Sequence, residues 1–123
     1  CYNAADTITR TIESALAQTV PVRIIVVDDC STDNSFQVVS ALAEKHPQIK
    51  LFRQAVNGGP GKARNTGLRL AETEWVAGLD SDDFLLPERT ERLLAHVRGR
   101  EVDFLMDDII RIWPGQAPAD GVR

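Results

Sequence analysis

Apolar residues recur at helical spacing in the first part of the chain and then form a continuous run. Residues 6–18 carry an apolar stripe with helical spacing, which predicts an amphipathic helix whose first turn is capped by Asn3 or Asp6. After the Val20-Pro21 break, the β-branched run Arg23–Asp28 is typical of a strand that is buried on both faces. The stripe of the helix consists of Ile8, Ile12, Ala15 and Leu16. Together the two patterns predict a parallel sheet covered by helices.

The same alternation continues along the chain. Strand-like runs follow helical patterns at short intervals, which predicts an α/β fold with a βαβ-based open sheet and a ligand crevice beyond the carboxyl ends of its strands. The further predicted elements are a helix from Asp33 to about Lys45, a strand Ile49–Arg53, a helix Ala63–Ala71, a strand Trp75–Leu79, a helix Glu88–Val97 that follows Pro87, and strands Val102–Met106 and Ile109–Trp113.

Both ends of the chain depart from this pattern. A sheet of this type normally begins on a strand, whereas this chain begins on a helix, so we expect a first strand upstream of it. The segment Pro114–Gly121 is rich in turn residues and has no periodicity. We therefore expect one domain over residues 1–113, truncated at both ends, and a linker or tail over residues 114–123.

Composition narrows the class of protein. The chain has 123 residues, 43% of them hydrophobic and 26% charged, and a formal net charge of -4, so no general affinity for nucleic acid is expected. Cys1 and Cys30 lack the spacing of a zinc site or a disulfide framework, which favours a reducing, cytoplasmic setting. No apolar run approaches the ~20 residues that span a bilayer. Contact with the inner face of the cell membrane is therefore expected to be peripheral and to use segments missing from this chain.

Three carboxylates stand within four residues directly after the strand-like run at 75–79. Each ionised carboxylate of Asp80-Ser81-Asp82-Asp83 raises the cost of ionising its neighbours, and oxygen ligands of this kind suit Mg²⁺ or Mn²⁺. The alternative is a solvated loop in which Asp and Ser form turns and helix caps. A second acid pair, Asp28-Asp29, also follows a predicted strand and so reaches the same rim of the sheet. Since core packing gives no reason for that coincidence, we favour a metal-diphosphate site.

A glycine-rich loop leads into the predicted third helix. The segment Asn57–Gly67 combines glycines with Lys62 and Arg64, and backbone N–H groups at a helix N-terminus favour phosphate. The loop has neither the Walker spacing nor the GxGxxG order, so a P-loop or a dinucleotide fingerprint is not supported. The alternative is a flexible surface loop whose glycines serve turn geometry.

The first acid pair lies in the segment Asp28-Asp29-Cys30-Ser31-Thr32-Asp33. An Asp at the end of a buried strand can accept hydrogen bonds from a nucleobase N–H or from ribose hydroxyls, as acidic residues do in dinucleotide sites. Ser31 and Asp33 are better explained as helix caps. Cys30 is not expected to act as a nucleophile, because neither histidine of the chain lies near it in sequence.

In this order and at this spacing the motifs resemble the nucleotide-binding half of glycosyltransferase family 2. The resemblance covers all but about the last twenty residues and implies the Rossmann-like GT-A fold, an open and mainly parallel sheet with helices on both faces. One departure is Cys30, where the family usually has glycine. The matching segments are Cys1-Tyr2-Asn3, Val26 to Asp33, Asn57 to Gly67, and Leu79 to Asp83 with Pro87.

The resemblance also implies a role for individual residues. Asp80 and Asp82 form the DXD motif of the family, in which Asp80 meets the ribose and Asp82, with Asp80, holds Mn²⁺ or Mg²⁺. No catalytic residue is expected in this chain, since the acidic base of inverting members lies further downstream, and Asp107 and Asp108 fall too early for it. The remaining implied contacts are Asp28 or Asp29 to the nucleobase, Tyr2 or Asn3 near the base and ribose, and Lys62 and Arg64 near the base or diphosphate.

The implied activity is sugar transfer. The chain is expected to be the donor-binding part of an inverting, metal-dependent glycosyltransferase (a hexosyltransferase-like enzyme) that takes a sugar from a nucleotide diphosphate, UDP above all. The acceptor is expected to be a saccharide or a lipid-linked saccharide in the synthesis of a bacterial exopolysaccharide or other surface polymer. Alone, the chain is not expected to turn over. The alternatives are a non-catalytic nucleotide-sugar-binding module and a sugar-phosphate nucleotidyltransferase, although the latter would need its basic glycine-rich loop directly after the first strand.

Overall fold

The fold is taken from a computed structural model that describes residues 1–107. The predicted strand Ile109–Trp113, Asp108 and the predicted tail at 114–123 lie outside these residues. The elements in chain order are α1 Ile8–Leu16, β1 Ile24–Asp28, α2 Ser35–Lys45, β2 Ile49–Arg53, α3 Gly59–Leu70 and α4 Arg89–Val97. Among residues 1–107, no helix has both the length and the apolar character needed to cross a bilayer.

The two strands form the parallel pair that the sequence predicts. β1 and β2 run side by side in a register that pairs Ile24 with Ile49 and Asp28 with Arg53, and α2 makes the crossover between them. On the other side of β1, the Cys1 nitrogen donates to the Val27 carbonyl at 2.6 Å, and the Asp29 amide donates to the Cys1 carbonyl at 2.8 Å. This is the bonding pattern of a parallel neighbour, so Cys1 is tied to the carboxyl end of β1.

Helices cover both faces of β1, as predicted. Val26 belongs to a buried cluster with Ile12 of α1 and Val39 of α2. Val27 points to the opposite face, where α3 packs at Gly67 so closely that an added Cβ would lie 3.7 Å from a Val27 methyl group. Because successive side chains of a strand alternate between faces, one β-branched run fills both layers.

Two predicted strands are wrong. Residues 75–79 and 102–106 form no ladder, and within residues 1–107 the sheet has only the strands β1 and β2. An apolar, extended run becomes a strand only when another backbone lies beside it, and neither run has such a neighbour in the described part of the chain.

Two local predictions about helix starts also need correction. Neither Asn3 nor Asp6 caps α1; instead the Thr7 and Ile8 amides both bond to the Ala4 carbonyl. The third helix begins at Gly59 rather than at 63, so the last part of the glycine-rich loop is its first turn, where Pro60 is well accommodated.

Candidate functional site

The first acid of the strand-end pair faces the interior. Asp28 is completely buried, and its Oδ1 accepts a hydrogen bond from the Ser31 amide at 3.3 Å. Its Oδ2 lies 3.1 Å from Nε of Arg53, its register partner on β2, without forming a hydrogen bond within the described residues. The Arg53 guanidinium in turn lies over the Phe36 ring, 4.8 Å from its centroid. Asp28 therefore closes the turn after β1 and neutralises a cation at the end of β2.

The second acid of the pair binds the N-terminus of α3. The Asp29 side chain is buried and accepts hydrogen bonds from the Gly58 amide at 2.8 Å, the Gly59 amide at 2.7 Å and the Gln54 side-chain amide. Burial acts to raise the pKa of Asp29, but these three hydrogen bonds outweigh it and lower that pKa. The glycine-rich loop thus already holds an internal anion at the amides that a phosphate was expected to use.

The first residues of the chain are bonded to the turn after β1. Asn3 has a left-handed backbone (φ 48°), and its side-chain oxygen accepts hydrogen bonds from the Thr32 amide at 2.9 Å and the Asp33 amide at 3.4 Å. The backbone amide of Asn3 donates to the Ser31 hydroxyl at 3.0 Å. The Tyr2 side chain is exposed beside this turn. Asn3 therefore shapes the rim of the crevice, while Tyr2 is free to meet a ligand.

Neither Ser31 nor Asp33 is the cap that the sequence predicts, because the N-cap of α2 is Asn34; the Ser31 hydroxyl bonds to the Asn3 amide, and Asp33 lies one position ahead of the cap. Its carboxylate accepts hydrogen bonds from the amide and hydroxyl of Ser35, the first residue of α2, and from the Ala5 amide. The hydrogen bond from the Ser35 hydroxyl is the main cause that lowers the pKa of Asp33. Asp33 thus joins α2 to the segment that leads into α1.

The second acid cluster forms an exposed turn. The Asp83 amide donates to the Asp80 carbonyl at 3.1 Å, which closes a four-residue turn with Asp82 at its third position. The Asp82 side chain is exposed, and within residues 1–107 no hydrogen bond or ion pair engages it. Burial lowers the pKa of the Cys1 amino group, while the nearby negative charges of Asp28, Asp29 and Asp80 act to raise it, so carboxylates of both acid clusters lie near this nitrogen.

Of the two cations in the glycine-rich segment, only Arg64 reaches the acidic turn. Its guanidinium donates to Asp80 Oδ1 at 2.6 Å, and this hydrogen bond raises the pKa of Arg64. Lys62 lies two residues away on α3, roughly 200° around the helix. It borders a separate hollow of about 370 Å³, which is also lined by Phe52, Gln54, Ala55, Val56, Thr66, Arg69 and Leu70. The structure therefore separates Lys62 from Arg64.

Three polar side chains that the sequence pattern did not point to hold the segment that contains this turn. Thr11, Ser14 and Gln18 all form hydrogen bonds with backbone groups of residues 81–90. The signal that could have found them is their spacing of three and four residues, next to the apolar stripe. Polar residues at that spacing are otherwise expected on a solvated face.

The donor set fits a divalent ion that is only partly held by the protein. Within residues 1–107, no three His, Cys, Asp or Glu side chains converge on one point. Mg²⁺ and Mn²⁺ are commonly bound by one or two carboxylates, with phosphate oxygens and water in the other positions. Asp82, supported by Asp80, offers that number of ligands.

The sequence model of glycosyl transferase family 2 matches residues 1–116. The chain belongs to glycosyl transferase family 2. This confirms the resemblance that the four motifs indicate. The succinoglycan biosynthesis protein ExoO of Rhizobium meliloti, a curated relative, is 43% identical over 109 residues, which are 88% of this chain and 31% of ExoO.

Two solved glycosyltransferase structures confirm the GT-A fold. The chain superposes on Staphylococcus aureus TarS 1-349 in complex with UDP with a TM-score of 0.72 and 38% identity, covering 78% of this chain and 29% of that one. For the mannosyltransferase PcManGT of Pyrobaculum calidifontis, in complex with GDP-Man and Mn²⁺, the TM-score is 0.64 and the identity 32%, covering 68% and 26%. The chain thus spans about a third or less of the length of each of these three proteins.

Proposed function

We propose that this chain is the donor-binding part of a family 2 glycosyltransferase that transfers a sugar from UDP to a saccharide or lipid-linked saccharide, with inversion and with a divalent ion. The observation that carries the proposal is Asp82. Its carboxylate is exposed on a turn and unengaged by the rest of residues 1–107, next to the Asp80–Arg64 pair. Buried aspartates are normally hydrogen-bonded, as Asp28 and Asp29 are here. Asp82 and Asp83 are the exposed acids of the turn whose side chains have no partner among residues 1–107, and of these two Asp82 stands at the metal position that the DXD motif implies.

The proposed roles follow from exposure. Asp82 holds the ion, with Asp80 as its second carboxylate or as the acceptor for ribose hydroxyls. The ion supplies positive charge that stabilises the departing diphosphate. Arg64 contributes a fixed charge and N–H donors beside it, and its pairing with Asp80 holds that guanidinium in place before the donor arrives.

The two aspartates of the first acid pair have different surroundings, and these limit how each can contact the nucleobase. Asp29 already accepts three hydrogen bonds, which leaves one lone pair of its carboxylate for the base, whereas Asp28 is completely buried and its carboxylate is closed off from a ligand. We propose that the exposed Tyr2 ring covers the base and that Asn3 and the acid pair shape the wall behind it. Lys62, which borders a different hollow, contributes to the donor only at longer range.

The biological setting is proposed from the relatives. ExoO is named for succinoglycan biosynthesis, and a further relative is named as a chondroitin synthase, so both names concern polysaccharides. We propose an acceptor of that kind and synthesis at the cytoplasmic side of the membrane. The acceptor site and the acidic base of an inverting mechanism are proposed to lie in the part of the protein outside this chain.

Isothermal titration of the full chain with UDP, with and without Mn²⁺, tests the donor site. The parent is expected to bind UDP only with Mn²⁺, and Asp82→Ala is expected to weaken that binding at least tenfold because a metal ligand is lost. Glu13→Ala, a change to an exposed acid on α1, is the matched control and should leave binding within twofold. Binding by the parent that is absent or independent of the ion would contradict the proposal.

A further inference from the structure

The helix α1 has a second, polar face in addition to its apolar stripe. Thr11 and Ser14 lie along it, and Gln18, two residues after the helix ends at Leu16, continues the same line at the next interval of four; Thr11 and Gln18 are buried. Polar side chains are rarely buried on a helix unless something satisfies them. What satisfies these three is the backbone of the segment 81–90, some 70 residues away in the chain.

Thr11 bonds to the carbonyl groups of the two residues that flank Asp82. Its hydroxyl lies 3.0 Å from the Ser81 carbonyl oxygen and 2.7 Å from the Asp83 carbonyl oxygen. A hydroxyl has a single proton, so the bond to Asp83 is the main one and the proton is shared with Ser81. With these two carbonyl groups turned toward α1, the Asp82 side chain is left on the solvent side of the turn, where it is exposed.

Ser14 and Gln18 hold the rest of the segment. The Ser14 hydroxyl donates to the Thr11 carbonyl at 2.7 Å and accepts from the Leu85 amide at 3.0 Å. The Gln18 side chain donates to the Leu86 carbonyl at 2.8 Å and accepts from the amide and hydroxyl of Thr90, in α4, at 3.0 and 2.6 Å. Gln18 thus bonds on both sides of the Pro87 bend.

The adjacent, apolar face of α1 is anchored in the core. Ile8 and Ile12 pack in the cluster that also contains Val26 of β1 and Val39 of α2. The strand β1 ends in Asp28, so the same short helix contacts the strand that carries the first acid pair and the turn that carries the second. The hydrogen bonds to the segment 81–90 come from the polar face.

We propose that Thr11, Ser14 and Gln18 are positioning residues of the donor site: the polar face of α1 sets the backbone of residues 80–87 so that the carboxylates of Asp80 and Asp82 meet the ion and the diphosphate together. The inference deepens the proposed function and rests on it. None of the three side chains is itself a ligand, because their polar atoms are already used by the backbone.

The experiment compares threonine variants on one helix. Thr11→Val keeps the shape of the side chain and loses the hydroxyl, Thr11→Ser keeps the hydroxyl, and Thr7→Val is the control, since the Thr7 hydroxyl donates only to the Ala4 carbonyl. In titrations of the full chain with Mn²⁺ and UDP, Thr11→Val is expected to bind at least tenfold more weakly, while Thr11→Ser and Thr7→Val stay within threefold. Binding by folded Thr11→Val at the strength of the parent would overturn the proposal.

Amide hydrogen exchange gives a readout that does not depend on ligand. The hydrogen-bonded amides of Asp83 and Leu85 are expected to exchange at least fivefold faster in Thr11→Val than in Thr7→Val, with no change in β1. Should Thr11→Val fail to fold, Ser14→Ala decides: the Leu85 amide must exchange faster and Mn²⁺-UDP binding must weaken at least threefold, or the proposal is wrong. A parent that binds no UDP with Mn²⁺ counts against the proposed function instead, and unchanged exchange in the turn counts against the positioning role alone.

Discussion

The two acid pairs of this chain have opposite environments. Asp28 and Asp29, at the end of β1, are buried and engaged by backbone amides or by an arginine. Asp80 and Asp82, on the turn after residue 79, are exposed, and only Asp80 has a partner among residues 1–107. The aspartates at this rim therefore divide into a buried pair that organises the backbone (the building pair) and an exposed pair that a ligand can reach (the binding pair).

The difference shows what burial does to a carboxylate. A buried carboxylate must be matched by donors within the protein, and its negative charge then organises the backbone around it. Here Asp29 arranges the start of α3, which in turn carries Arg64 to Asp80. The carboxylates of the exposed pair stay hydrated, and a metal ion can replace part of that hydration.

The largest effect is expected for Asp29→Ala. Removing the carboxylate leaves the buried Gln54 side chain and the Gly58 and Gly59 amides without their acceptor, so the free energy of unfolding should fall by about 3 kcal/mol. Urea unfolding measures it. Asp82→Ala, the exposed counterpart, should change the same quantity by less than about 0.5 kcal/mol. Equal losses in the two variants would remove the distinction between a building pair and a binding pair.

A smaller effect is expected in the pH dependence of stability. The pKa of Asp29 is lowered in the folded state, so its ionised form stabilises the fold above the unfolded pKa of about 4, and this contribution is lost as the pH falls through the folded pKa. Asp29→Asn, which lacks that charge, should be less stable than the parent at pH 7, with the gap narrowing below pH 4 or so. Urea unfolding at several pH values measures the gap.

Asp33 contributes to the pH dependence of stability of both proteins in that experiment. Its pKa is also lowered, and it is present in both proteins, so both should lose stability in acid. A gap between parent and Asp29→Asn that stays constant from pH 7 to pH 3 would mean that the charge of Asp29 does not stabilise the fold.

The smallest effect is expected for Arg64→Met. The Arg64 and Asp80 side chains are 60% and 57% exposed, and exposed ion pairs add little to stability, so the free energy of unfolding should change by less than about 0.5 kcal/mol. Thermal or urea unfolding at two salt concentrations provides the measurement. A loss above about 1 kcal/mol would show that the acidic turn depends on this pair for its fold, and Asp80 would then belong with the building residues.

The sequence alone determined the elements whose signal is local. The apolar stripe of α1, the β-branched run of β1 and the helical pattern of α4 each predict an element at or near its observed place, because a helix satisfies its own backbone and a run that is apolar on both faces favours a central strand. The same local signal located all four motifs of the family. The prediction that both acid pairs lie at one rim rested on two strands, and of these only β1 is present among residues 1–107.

Only the tertiary structure decided what each of these residues does. Residues 75–79 read as a strand but lack a neighbour among residues 1–107, and a ladder requires two backbones. The four aspartates look alike in sequence, yet one of them, Asp29, accepts hydrogen bonds from the Gly58 and Gly59 amides, 29 and 30 positions away. The Ser81 and Asp83 carbonyl groups bond to the Thr11 hydroxyl, which lies 70 and 72 positions earlier in the chain. Local periodicity carries no information about such partners, because they come together only when the helices pack against the sheet.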